Sequence, residues 1–151
     1  MEVWRLFPGH FRSTAFSGSG GLYAAGRWNH MGVAMVYTAT SRALAALEFF
    51  VNLEPNEAPD DLLIAGASVP DEFVDIIDSA MLPRTWRKLN NETCRDLGSN
   101  WAASGRSLAL RVPSAVVEEE WNVLLNPKHN EFARVEIAKA APFHFDERMF
   151  R

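Results

Sequence analysis

The chain has 151 residues, of which 48% are hydrophobic and 23% are charged. This composition is typical of an ordinary globular domain and excludes a disordered tail, a collagen-like repeat and a highly charged coiled coil. One domain spanning residues 1–151 is therefore expected. Fifteen basic and nineteen acidic residues give a net charge of −4, so direct binding to nucleic acid is not expected.

A single cysteine, Cys94, excludes an internal disulfide and a thiolate metal cluster. The four histidines show no ligand spacing, so no metal is expected. The first residues lack the apolar run of a signal peptide, and no segment reaches the roughly 18 to 20 apolar residues of a membrane helix. We therefore expect a soluble, cytoplasmic protein that does not bind a membrane.

The first third of the chain predicts two strands and a helix. Residues 2–7 form an apolar strand before a Pro-Gly stop, and residues 17–21 form a Gly- and Ser-rich loop. A strand rich in β-formers covers residues 33–38. Ser41 is a good N-cap, so a helix is predicted over residues 42–52.

The middle of the chain predicts an acidic loop, a strand and two helices. The loop covers residues 54–61 and carries two prolines, and an apolar strand follows over residues 62–69. Residues 71–79 are interpreted as a short amphipathic helix. A second helix is predicted over residues 92–104.

The last third predicts a strand over residues 108–112 and then a helix from about residue 115 to residue 126, with Ser114 as its cap. A final strand is predicted over residues 134–140. Strands and helices are mixed along the chain without a strict βαβ rhythm. This arrangement favours an α+β fold over a doubly wound parallel sheet.

Glu48 is the most informative single residue. It is the only acid in residues 42–51 and shares an apolar stripe with Leu44, Leu47 and Val51 at helical spacing. A carboxylate on a core-facing stripe is costly unless it is paired or lines a cavity. Two interpretations stay open: a functional carboxylate, or a structural salt bridge to a buried arginine.

Two arginines sit in apolar surroundings. Arg5 lies inside the first strand between Trp4 and Leu6, and Arg27 lies in the segment GRWN. An arginine on a short buried strand needs an anionic partner. That partner is either Glu48 or the phosphate of a bound ligand, and the pattern alone does not decide between them.

Three further residues are weaker candidates. Tyr37 ends the second strand just before the helix that carries Glu48, so it either stacks on a flat ligand ring or is an ordinary half-buried tyrosine. Ser114 is a helix cap in its simplest role. Asn126, which precedes a proline, is interpreted first as a helix stop.

Taken together, these residues resemble the RES domain, the toxin half of Xre–RES toxin–antitoxin pairs. The Arg, Glu and Ser of the family name correspond to Arg27 in GRWN, Glu48 in SRALAALE and Ser114 in VPSAVV. Further similar pieces are VWRLF, VYTATS and EWNVLLNPKH. The similarity runs from about residue 3 to residue 145.

The resemblance implies an ADP-ribosyltransferase-like fold, in which a split β-sheet is flanked by helices. It also implies NAD⁺ as the substrate and no metal. The family's chemistries vary among hydrolysis of NAD⁺, phosphorolysis of NAD⁺ and transfer of ADP-ribose to a protein, so the acceptor stays open. The implied partner is an Xre-type helix-turn-helix antitoxin that carries the DNA contact, with a toxin homodimer left open.

The resemblance assigns roles to individual residues. Glu48, Arg27 and Ser114 are the expected catalytic residues. NAD⁺ is expected to contact Arg5 and Arg27 through its phosphates and Tyr37 through its nicotinamide or ribose, with Ser114 and Asn126 also in the binding site. The remaining alternative is a non-enzymatic interaction domain in which Arg–Glu pairs are purely structural.

Overall fold

The computed structural model describes all 151 residues and contains one eight-stranded β-sheet with three helices. None of these helices has the length and apolar character needed to cross a membrane. The strands are β1 Glu2–Pro8, β2 Val36–Ala39, β3 Leu62–Ser68, β4 Val74–Ile76, β5 Ala109–Pro113, β6 Trp121–Leu125, β7 Glu136–Ile137 and β8 Ala141–Phe143, and the helices are α1 Gly20–Tyr23, α2 Arg42–Phe50 and α3 Glu92–Ser104.

The sheet is split near its middle. Its strand order is β4-β5-β6-β2-β1-β3-β7, and β8 also pairs with β3. Seven residue pairs join β1 to β3, whereas a single pair, Trp4 with Ala39, joins β1 to β2. The two halves therefore diverge between β1 and β2. The expected α+β class with a split sheet flanked by helices is confirmed.

Alternate residues of the central strand β6 enter two different cores. Val123 and Leu125 belong to the larger core cluster, together with residues of β1 and β3. Leu124 belongs to a second cluster, which includes Trp28 and residues of α3. This separation follows from the two-residue period of a strand, which sends successive side chains to opposite faces of the sheet.

Helix α2 begins where the sequence predicts. The Ser41 hydroxyl accepts the backbone N–H of Leu44 at 3.0 Å, which satisfies one of the free donors of the first turn. The apolar stripe is only partly correct. Leu44 is buried, but Leu47 and Val51 are 37% and 54% exposed. The helix thus buries a narrower face than predicted, and Glu48 lies at its edge.

Helix α3 matches its predicted bounds, residues 92–104. Its interior Gly98, which lowers helix propensity, has a packing reason. A Cβ at this position would clash with the backbone carbonyl oxygen of Trp28. The glycine therefore lets α3 lie directly against the segment that carries Arg27.

Two predicted helices are wrong. Residues 71–79 begin with a 3-10 turn, Asp71–Phe73, which is followed by β4, and β4 pairs in parallel with β5. The helix predicted from residue 115 to residue 126 is instead a turn followed by β6, which pairs with both β2 and β5. A central strand is apolar on both faces, and a short apolar run cannot be told from a buried helix by periodicity.

The predicted final strand over residues 134–140 is also wrong in extent. Only Glu136–Ile137 pair with β3 there, and Ala141–Phe143 then form the separate strand β8 on the same neighbour. Both segments are short edge strands, for which the alternating pattern of a few residues is a weak signal.

Candidate active site

The carboxylate of Glu48 is held through one of its two oxygens. Oε1 accepts the hydroxyl of Ser114 at 2.7 Å and the side-chain amide of Asn122 at 2.6 Å. Oε2 accepts no hydrogen bond and is not among the buried atoms that lack a partner, so it is open to solvent. One face of the carboxylate is thus fixed by the protein, and the other is free to meet a ligand.

No basic side chain pairs with Glu48. None of the seven ion pairs in the structure includes it. The alternative of a structural salt bridge between Glu48 and a buried arginine is therefore wrong. Glu48 is half-buried and its hydrogen-bond donors are neutral side chains, an arrangement more typical of a functional carboxylate than of a core ion pair.

Ser114 acts on Glu48 and not on an arginine. Its oxygen accepts the backbone N–H groups of Val116 and Val117 at 3.1 and 3.0 Å. A hydroxyl has two acceptor positions and one donor, so both acceptor positions are filled and the proton is directed to Glu48. The predicted capping geometry is present, although a turn replaces the helix. Ser114 is 1% exposed, so it contacts the carboxylate of Glu48 from the protein interior.

Arg5 bridges the split in the sheet. Its Nη1 donates to the backbone carbonyl of Tyr37 at 3.0 Å, where β1 and β2 diverge. Its Nε is buried without a partner, and no acidic side chain pairs with it. Burial lowers the pKa of the Arg5 guanidinium. Arg5 is therefore a positive charge that lacks an anion within the protein.

Arg27 reaches the site from the other side. Its Nη1 donates to the carbonyl oxygens of Trp86 at 2.8 Å and Lys88 at 3.2 Å. Its guanidinium also lies 5.9 Å from the centre of the Trp86 ring. These contacts fix the arginine to the segment before α3 without neutralising its charge.

Tyr37 stands between the two arginines. Its hydroxyl donates to the side-chain carbonyl of Asn29 at 2.5 Å and accepts the backbone N–H of Trp28 at 3.1 Å. Burial raises the pKa of the phenol to about 12, against smaller opposing effects of the Trp28 N–H, Arg95 and Arg27. Tyr37 is therefore neutral at physiological pH and can act only as a ring or a hydrogen-bonding group.

Three neighbouring cavities meet at Tyr37. A cavity of about 200 Å³ is lined by Arg5, Tyr37, Glu48 and Asn122. A second cavity of about 510 Å³ shares the last three of these and adds Arg27. A third, of about 610 Å³, is lined by Arg5 and Tyr37 together with mostly apolar residues. The fold thus brings four of the predicted residues, Arg5, Arg27, Tyr37 and Glu48, to one continuous region.

Asn126 does not join this region. It is 3% exposed, and its amide donates to the carbonyl of Ala102 at 2.9 Å and accepts the N–H of Lys128 at 3.0 Å. Both ends of the side chain are therefore occupied by backbone groups, one in α3 and one in the turn after β6. Asn126 lines none of the three cavities.

Asn122 is the site residue that sequence reasoning missed. It lies on β6 opposite Ala39 of β2 and Val112 of β5. Residues two apart on a strand share a face, so Asn122 is on the face of Leu124, which pairs with Tyr37. The motif EWNVLLNPKH contains Asn122, but the face that Asn122 shares with Leu124 can be recognised only when the segment is interpreted as a strand.

One histidine lies near carboxylates in the folded chain despite the lack of spacing in the sequence. The ligand atoms of His30, Glu92 and Asp96 lie within 4.8 Å of one another. His30 already contacts Asp96 at 2.6 Å, and Glu92 faces Arg95 at 3.7 Å. The group is therefore a cluster of polar contacts between His30 and the exposed face of α3. None of its three members lines a cavity next to Glu48.

Comparison with known protein families places these residues in context. A model of the RES domain matches residues 2–146. The chain belongs to the RES domain family. The match covers every strand and helix of the sheet and its flanks, so the RES domain and the fold described above coincide.

Curated relatives match this RES domain along its whole length. A protein named Toxin Res from Photorhabdus laumondii is 35% identical over 153 residues, which cover 100% of this chain and 98% of that protein. A protein named Prs ADP-ribosylating toxin from a Sphingobium species is 37% identical over 156 residues, with 99% and 97% coverage.

A solved structure has the same fold. The M. tuberculosis MbcT–MbcA toxin–antitoxin complex contains a chain that matches with a TM-score of 0.69 and 14% identity. The match covers 95% of this chain and 84% of that one. At this identity the likeness concerns the fold alone.

Proposed function

We propose that this RES domain is the toxin of a toxin–antitoxin pair and that it consumes NAD⁺ by breaking the bond between nicotinamide and ribose. The names of the curated relatives, Toxin Res and an ADP-ribosylating toxin, support the proposal. The observation that carries it is the Glu48 carboxylate, which has one fixed oxygen and one free oxygen at a cavity wall.

The free oxygen of Glu48 suits this reaction. As the bond from the anomeric carbon C1′ to the pyridinium nitrogen breaks, its electron pair leaves with nicotinamide and positive charge develops on the ribose. A preorganised carboxylate stabilises such charge most strongly in a site of low dielectric. An acceptor oxygen then bonds to C1′ and loses its proton. Glu48 Oε2 supplies the negative charge that stabilises the ribose as its positive charge develops. It can also accept a hydrogen bond from a ribose hydroxyl.

The two arginines suit the pyrophosphate. Arg5 carries a positive charge with no anion in the protein, and the Nη1 of Arg27 donates to backbone carbonyls and to no acidic side chain. Guanidinium groups bind phosphate oxygens through two parallel hydrogen bonds. In this proposal the arginines hold the phosphates and thereby orient the ribose toward Glu48.

Tyr37 provides a flat, neutral surface between these groups. Tyr37 lines all three cavities, and its hydroxyl is occupied by Asn29 and Trp28. We therefore assign the ring, and not the hydroxyl, to stacking against nicotinamide or its ribose. Ser114 then contributes through Glu48, and Asn126 has no role in binding.

The proposal is tested by product identification. The purified chain is incubated with NAD⁺ in buffers with and without phosphate, and products are separated chromatographically. Release of nicotinamide is expected from the parent chain, with ADP-ribose as the second product if water is the acceptor and its 1″-phosphate ester if phosphate is the acceptor. The Glu48→Gln variant, purified and assayed in the same way, serves as the control. No nicotinamide release under any condition, lysate included, would overturn the proposal.

A second candidate reaction is transfer of ADP-ribose to a protein. The name of the Sphingobium relative favours it, because that protein is described as ADP-ribosylating. NAD⁺ labelled in its adenine ring distinguishes the two reactions. Label that becomes attached to a lysate protein, with little turnover of free NAD⁺, indicates transfer to a protein. Label found only in small molecules indicates hydrolysis or phosphorolysis.

The proposed partner is an antitoxin of the Xre helix-turn-helix type. An enzyme that consumes NAD⁺ harms its own cell unless it is restrained, and the acidic charge of this chain assigns DNA binding to the partner. Gel-shift assays on the operator DNA of the pair test this division. Binding is expected only when the antitoxin is present, and operator binding by the isolated chain would overturn it. A toxin homodimer within the complex stays a prediction, which sedimentation of the complex tests.

A further inference from the structure

Asn122 contacts the proposed catalytic carboxylate from the centre of the sheet. It lies on β6, which is paired on both sides, so its backbone is fixed by β2 and β5. Its side-chain nitrogen is 2.6 Å from Glu48 Oε1. The contact joins residues 74 positions apart in sequence and links the sheet to helix α2.

The other end of the same amide has no partner. The Asn122 Oδ1 atom is buried and accepts no hydrogen bond. Buried polar groups are nearly always satisfied, and leaving one unpaired is unfavourable. Exchanging the two ends of the amide would place Oδ1 against the carboxylate oxygen of Glu48 and would create repulsion. The hydrogen bond to Glu48 therefore sets the orientation of the Asn122 amide, and this orientation leaves the Asn122 carbonyl oxygen without a donor.

Asn122 and Ser114 act on the same oxygen. Both donate to Oε1, one from β6 and one from the turn after β5. Two donors from separate elements define the plane of the carboxylate as well as its position. With Oε1 held in this way, Oε2 is directed away from both donors.

We infer that Asn122 is a positioning residue that orients the Glu48 carboxylate. It does so although its buried, unpaired carbonyl makes the fold less stable than it could be. The catalytic part of the inference rests on the function proposed above. The orienting part concerns only these two side chains. Natural proteins commonly accept an unfavourable polar group where activity requires it.

The first test compares two asparagines four residues apart in the chain. Asn122→Ala should lower kcat for NAD⁺ cleavage by roughly 10- to 100-fold, because a misplaced reacting group costs about this much. Its KM should stay within about threefold of the parent. Its melting temperature should fall little, because loss of the hydrogen bond to Glu48 is offset by removal of a buried carbonyl that has no partner. Asn126→Ala should melt lower and keep the parent kcat per folded molecule. Parent-like kcat for folded Asn122→Ala would overturn the inference.

The second test reads the carboxylate directly and does not depend on activity. Crystal structures of the parent, Asn122→Ala and Asn122→Asp are compared at Glu48. Asn122→Asp keeps the shape but replaces the donor by a second carboxylate, so it should displace Glu48 further than Asn122→Ala does. A carboxylate that stays in place in both variants would overturn the inference. If the parent releases no nicotinamide, the proposed function fails while this comparison still decides the role of Asn122.

Discussion

The hydroxyl of Ser114 donates to Oε1 of Glu48 at 2.7 Å, although the two residues are 66 positions apart. The same oxygen of Ser114 accepts two backbone N–H groups of the turn after β5. One hydroxyl therefore ties the turn to helix α2 and fixes the carboxylate. The serine that corresponds to the family name is thus hydrogen-bonded in this chain to the glutamate.

We expect Ser114→Ala to lose both stability and activity. Without the hydroxyl, the N–H groups of Val116 and Val117 lose their acceptor, and Glu48 keeps a single donor. The free energy of unfolding should fall by about 1 to 2 kcal/mol, and nicotinamide release per folded molecule should also fall. Denaturant unfolding and a nicotinamide assay on one preparation measure the two effects.

A second buried serine, Ser107, allows the effect on stability to be separated from the effect on activity. The Ser107 hydroxyl, 5% exposed, accepts the indole N–H of Trp101 at 2.8 Å and donates to the carbonyl of Ala109 at 3.1 Å, and it lines none of the cavities around Tyr37. Ser107→Ala should be destabilised to a similar extent while its folded fraction keeps normal turnover. If both variants lose turnover equally, the link from Ser114 to Glu48 has no catalytic meaning.

Glu48→Gln should fold normally and lose NAD⁺ cleavage. Glutamine keeps an acceptor for Ser114 and Asn122, and no arginine loses an ion pair, because none is present. The rate should fall on the order of 10² or more, as for removal of one strong electrostatic contribution, while the melting temperature changes little. Glu57→Gln, an exposed loop variant, is the control. A Glu48→Gln protein that cleaves NAD⁺ at the parent rate would contradict the assigned role.

The sequence predicts the bounds of helices and strands well where the pattern is local. The helix carrying Glu48 begins after Ser41 as its capping chemistry predicts, and β1 and β3 lie close to their predicted bounds. The single acid in the apolar helix stands out in the sequence because a buried, unpaired carboxylate is costly, and the structure places it at a cavity wall.

The partners of Glu48 could not be predicted, because they depend on strand pairing. The apolar run before Asn126 fits a buried helix as well as a central strand. Asn126 enters the predicted binding site through the family resemblance, whereas Asn122 is given no role. As strand β6, the same run presents Asn122 to Glu48 and leaves Asn126 in a turn. The error of element type thus concealed the contact between Asn122 and Glu48.

Arg5→Met should weaken NAD⁺ binding without harming the fold. The guanidinium has a single hydrogen bond, to the carbonyl of Tyr37, and its Nε is buried without a partner. Losing a charge-assisted contact to phosphate should weaken NAD⁺ binding about 10- to 100-fold. The melting temperature should stay equal or rise, because a poorly compensated charge is removed. Calorimetric titration in the Glu48→Gln background avoids turnover of the ligand.

Arg111 provides the matched control for Arg5. It also lies on a strand with a buried, unpaired Nε, and its guanidinium stacks 4.7 Å from the centre of the Trp121 ring. It lines none of the three cavities. Arg111→Met should therefore leave NAD⁺ affinity unchanged. Equal affinity in Arg5→Met and the parent would show that Arg5 does not bind phosphate.

Tyr37 should keep its proton well into the alkaline range. Burial raises its pKa to about 12, whereas an unfolded tyrosine ionises near pH 10. The folded state holds the proton more tightly, so this stabilisation is complete below about pH 10 and is lost as the pH rises to about 12. Over that interval the free energy of unfolding should fall by up to about 1.4 kcal/mol per pH unit.

Two variants isolate this effect because the chain has only two tyrosines. In Tyr23→Phe, the ultraviolet absorbance of tyrosinate reports on Tyr37 alone and should rise with a midpoint near pH 12, while circular dichroism confirms that the protein is still folded. In Tyr37→Phe, the part of the alkaline stability loss that comes from this phenol should be absent. A midpoint near pH 10 in folded Tyr23→Phe would show that Tyr37 is solvated, and its ring would then be too exposed for the stacking role.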